Sequence, residues 1–128
     1  MRTTYLDIEE AWGVVICYDL EQRDEAEMCR MMASLGVYDC DEPLDVLLRH
    51  KNTGMCVTDM EKRMSLIFVG DATDSEQWWD TVTHELYHCQ QAICEYYGVR
   101  SDSEDGAWTI GYLMRKTVEQ IAPPCASS

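Results

Sequence analysis

The stretch Thr83-His84-Glu85-Leu86-Tyr87-His88 constrains this chain more than any other. It is an H-E-x-x-H set in a segment whose apolar residues recur at helical spacing. Residues four apart on a helix share a face, so His84 and His88 can aim two imidazole nitrogens at one point. Neutral imidazole suits Zn²⁺, and Glu85 between them is placed to act as a base towards a zinc-bound water without ligating the metal. Catalytic zinc commonly takes three protein ligands and leaves one position open, so this reading asks for a third ligand elsewhere.

The pattern around the motif predicts one small α+β domain spanning residues 1–128. Trp12 to Tyr18 is a near-continuous β-branched and aromatic run, as in a strand buried on both faces. Leu20 to Leu35 carries Leu20, Met28, Met31, Met32 and Leu35 on one helical stripe and stops at Gly36. The methionines there read as core packing rather than as a ligand set. Pro43 fits the first turn of a short helix that turns Leu44, Leu47 and Leu48 inward and ends at His50. Met55 to Thr58 and Ser65 to Val69 read as a hairpin with Glu61-Lys62-Arg63 at its tip. Asp74 or Ser75 caps a long helix ended by Gly98, and the Ser101-Asp102-Ser103 cluster caps a last one with Ala107, Ile110, Met114, Val118 and Ile121 inward. Pro123-Pro124 ends that helix, and a frayed tail is expected from Cys125 onward. The fold expected is a sheet of about three strands packed on the histidine helix and further helices.

Charge narrows the function. A formal net charge of −14 disfavours nucleic acid as a partner, because the chain repels phosphates. The acids are scattered, as for solubility, rather than gathered into one face that imitates nucleic acid. No apolar run suggests a membrane span, and Met1 to Glu10 lacks the apolar stretch of a signal peptide. The seven cysteines form no C-x-x-C pair, and their odd number suggests reduced thiols in a cytoplasmic compartment.

Glu104 is the leading candidate for the third ligand. Ala107 and Gly111 on its helical face are small enough to let the last helix approach the histidine helix closely. Asp102, Asp105 and His50 remain competitors on this reading.

Here the chain resembles the zincin metallopeptidases of the gluzincin branch, in which H-E-x-x-H is followed on a later helix by a glutamate ligand. More narrowly it is similar to small phage-encoded proteins with a downstream E-x-x-A-x-x-x-G-Y, which reads here from Glu104 through Ala107 to Gly111-Tyr112. The resemblance covers residues 81–113. It departs at Gln90, where the wider pattern has a hydrophobic residue, and in the short spacing from His88 to Glu104. It implies His84, His88 and Glu104 as zinc ligands, Glu85 as general base, and Ser65 to Val69 as the strand bordering a substrate groove. Tyr87 or Tyr112 is a candidate donor to an oxyanion.

The expected function is zinc-dependent hydrolysis of a peptide or protein substrate, in the cytoplasm, a host's if the chain is phage-encoded. The competing expectation is a non-catalytic acidic protein that uses zinc for stability and engages a host protein. A closed four-ligand site would mark the second, since a catalytic zinc keeps a position open.

Overall fold

The computed structural model describes residues 1–124; the tail expected from Cys125 onward lies outside the described residues. The chain forms β1 (Arg2–Ile8), β2 (Trp12–Tyr18), a single 3₁₀ turn leading into α1 (Glu25–Ser34), α2 (Asp41–Arg49), β3 (Gly54–Asp59), β4 (Met64–Val69), α3 (Ser75–Tyr97) and α4 (Glu104–Gln120). This is an α+β fold. Its sheet has four strands rather than about three, in the order β1-β2-β4-β3. The added strand is β1, which runs antiparallel to β2 and pairs from Arg2 with Tyr18 to Ile8 with Trp12. β2 and β4 are parallel, and β3 returns antiparallel on the outer side of β4.

The two central strands explain the unbroken apolar runs. β2 and β4 have neighbours on both sides in the sheet and helices on both of its faces, so every residue must be compatible with burial. Alternation then divides them. Val14, Ile16, Ile67 and Val69 face α3 and α4 in a core that includes Trp78, Val82, Leu86, Ile93 and Leu113. Cys17, Leu66 and Phe68 face the other way, against Met28 and Met32 of α1 and Leu44 and Leu47 of α2. The methionine stripe is core packing, as its spacing suggests.

Cys29 and Cys40 form a disulfide between α1 and the residue before α2, with Cα atoms 6.0 Å apart. This corrects the expectation that the thiols are all reduced. Among the described residues, Cys17, Cys56, Cys89 and Cys94 are in no disulfide. Among the described residues no helix is long and apolar enough to cross a membrane.

Candidate metal centre

The helix that carries the motif is fixed at both ends by local chemistry. The Asp74 carboxylate accepts from the Gln77 backbone N–H at 2.8 Å, satisfying a donor left free by the first turn. Gly98 closes the other end in the left-handed conformation, at φ 71°, which costs glycine little. Trp78, Val82, Leu86, Cys89 and Ile93 bury one face of α3 on the sheet. That rotation leaves His84 and His88 exposed on the flank beside β3, with Glu85 turned under them.

The two imidazoles converge: His84 Nε2 and His88 Nε2 lie 3.1 Å apart. Two nitrogens bound to one tetrahedral zinc at ~2.05 Å would be roughly 3.3 Å apart, so the pair has the spacing a shared ion needs. Glu85 Oε2 lies 4.0 Å from His84 Nε2. This exceeds the ~3.3 Å edge between two ligands of one zinc and suits a base acting across a water. Among the described residues, the ligand atoms of His84, Glu85 and His88 form a group within 4.8 Å of one another, able to hold a metal ion.

Glu85 is only 6% exposed although it carries an acid. Burial raises its pKa above the ordinary 4.5, while positive charge on His84 and His88 pulls it back down. The space for it comes from Gly54, the first residue of β3. A Cβ there would lie 2.9 Å from Glu85 Cγ, 3.0 Å from its Oε2 and 2.7 Å from Thr81 Cγ2. Gly54 and Thr81 are thus part of the site, although in the sequence Asn52-Thr53-Gly54 reads only as a turn.

Glu104 is not brought to this group. It opens α4 as an exposed residue and stands outside the cluster, as do Asp102, Asp105 and His50. The reason lies in Gln90, which is 1% exposed and donates to the carbonyls of Ser101 at 2.8 Å and Gly106 at 3.0 Å. It fastens the loop after α3, and with it the start of α4, to its own face of the helix. At ~100° per residue that face points about 160° away from His88 and about 120° from His84. Asp102 forms an ion pair with Arg100 instead, at 2.7 Å.

Two further expectations change. The close approach of α4 occurs at Gly106, whereas a Cβ on Gly111 would meet nothing within 4 Å. The sheet edge beside the histidines is β3, since β4 is paired on both sides. Tyr112 lines a separate groove with Trp108, while Tyr87 is exposed.

Comparison with protein-family models, with characterised proteins and with solved structures gave no match.

Proposed function

We propose that the protein is a zinc-dependent metallopeptidase that takes its substrate as an extended chain along β3. The observation that carries the reading is the convergence of His84 Nε2 and His88 Nε2 to 3.1 Å above a buried glutamate. His84 and His88 would hold the ion, and imidazole is a good ligand for Zn²⁺. Bound zinc would supply Lewis acidity and a water that ionises near neutral pH. Glu85 would take a proton from the attacking water and pass it to the leaving amine. Among the described residues β3 pairs with β4 alone, so its outer edge would offer backbone N–H and C=O groups to align a peptide.

His84 and His88 would supply two of the three protein ligands that a catalytic zinc commonly takes. Glu104, the third ligand that the resemblance implies, would enter only if the α3–α4 loop were released from Gln90. A closed structural zinc in a non-catalytic binding protein is less well supported. It needs four protein ligands, and the described residues bring three candidate side chains together.

The test is hydrolysis of a mixed peptide library by zinc-reconstituted protein. Cleavage should stop with a chelator and return when zinc is added back. Absence of cleavage with zinc bound would overturn the peptidase reading.

A further inference from the structure

A second site lies on the other side of the molecule, between the β1–β2 turn, the last turns of α3 and the outer face of α4. It is a groove of about 800 Å³, within the ~300–1,000 Å³ range of small-molecule sites. Its deep residues are Trp12 and Ile93, both buried, and its outer walls include Tyr97 and Trp108, the latter 73% exposed. Ile93 and Tyr97 point about 140–180° around α3 from His88, so this groove is not an extension of the metal centre.

Contacts within the fold orient Trp12, at the floor of the groove. Trp12 Nε1 donates to Ser65 Oγ at 3.1 Å, and its ring meets Tyr96 edge to face at 5.5 Å. Such locking lowers the ordering cost of binding. Two charged residues of opposite sign also line the groove, Glu9 and Arg115. The Arg115 guanidinium lies 5.5 Å over the Tyr112 ring, and it takes part in none of the ion pairs of the described residues. Glu9 opens the three-residue turn Glu9-Glu10-Ala11 between β1 and β2, where Ala11 N–H donates to the Ile8 carbonyl at 2.8 Å and the two residues between them, Glu9 and Glu10, have φ of 50° and 60°. Both central residues of that turn are left-handed, a conformation that Asn-Gly adopts readily and glutamate only under strain. The turn therefore places Glu9 at the groove in a conformation that is costly for glutamate.

An apolar aromatic trough with one anion and one unpaired cation is complementary to a ligand of matching layout. We infer that the groove binds a short apolar peptide with free termini, its ammonium towards Glu9, its carboxylate towards Arg115 and its side chains on the aromatic walls. A neutral zwitterion also fits the rest of the molecule, because the net charge of −14 opposes the approach of a plain anion. The inference does not rest on the metallopeptidase reading.

Calorimetric titration of the full chain with the leucine–phenylalanine dipeptide tests it, in a Glu85→Gln background so that the peptide survives. One dipeptide per chain should bind with sub-millimolar affinity, and Trp108→Ala should weaken binding at least tenfold. Acetylating the amine or amidating the carboxylate should each weaken binding about two- to fivefold. The acetylation penalty should disappear with Glu9→Gln, and the amidation penalty with Arg115→Gln. Equal affinity of the free, acetylated and amidated peptides would overturn the inference, as would penalties that persist in both variants. No binding at about 10 mM peptide would do the same.

Discussion

Replacing Gly106 with alanine is expected to lower the midpoint of thermal unfolding by about 10 °C or more, while alanine at Gly111 leaves it unchanged or raises it slightly. The two glycines stand five residues apart on one helix, yet their surroundings are opposite. A Cβ at Gly106 would sit 2.1 Å from the Ser101 carbonyl oxygen and 2.7 Å from Gln90 Nε2. The first of these is backbone in a tight loop and cannot step aside alone. The second belongs to a buried amide whose two hydrogen bonds join α3 to the α3–α4 loop and to the first turn of α4. Overpacking costs about 1–3 kcal/mol, and an unmade buried hydrogen bond adds about 1–3 kcal/mol. Together they make roughly 3 kcal/mol the expected loss, or about 10 °C for a domain of this size. Gly111 faces open space, so alanine there gains up to ~1 kcal/mol of helix propensity. Thermal unfolding followed by circular dichroism compares the two. Equal midpoints would mean that the Gln90 clamp does not hold α4 in place.

Glu85→Gln is expected to reduce peptide hydrolysis by about two to four orders of magnitude with zinc content unchanged. Glutamine keeps the shape of the side chain beneath Gly54 but cannot accept the proton. The comparison must be made on one preparation, with turnover and metal measured together. Loss of metal along with activity would make Glu85 a ligand instead of a base. The same variant has a second signature in the metal-free protein. Because burial raises the folded-state pKa of Glu85, its contribution to stability is fully present below its unfolded value and is lost as pH rises through the folded one. Metal-free Glu85→Gln should therefore be more stable than the wild type at neutral pH. That advantage should shrink as pH falls towards the ordinary 4.5.

Where structure depends on neighbouring residues, it was legible in the sequence. Asp74 and Ser103 cap their helices, Gly98 ends α3, and β2 is buried on both faces as its composition implies. β1 was not legible, because Arg2–Ile8 becomes a strand by pairing with β2 through Glu9-Glu10, which carries no Asn-Gly signal. The Cys29–Cys40 link was hidden for a similar reason, since spacing does not determine connectivity.

At the candidate site, the convergence of His84 and His88 follows from helical spacing alone. The position of Glu104 does not, because it depends on how the next helix is rotated and anchored. The residue that decides this is Gln90, visible in the sequence as a polar residue at a hydrophobic position. Its amide nitrogen needed buried acceptors, and the carbonyls of Ser101 in the α3–α4 loop and Gly106 in α4 supply them. Glycine composition was equally silent about which of Gly106 and Gly111 marks the close approach.

The central claim is that His84 and His88 hold one metal ion between them. Elemental analysis after reconstitution with zinc at neutral pH and removal of the excess tests it most directly. The expected result is about one zinc per chain for the wild type and none for the folded His84→Ala/His88→Ala double variant. A wild type without zinc, or a double variant that retains as much as the wild type, would contradict it.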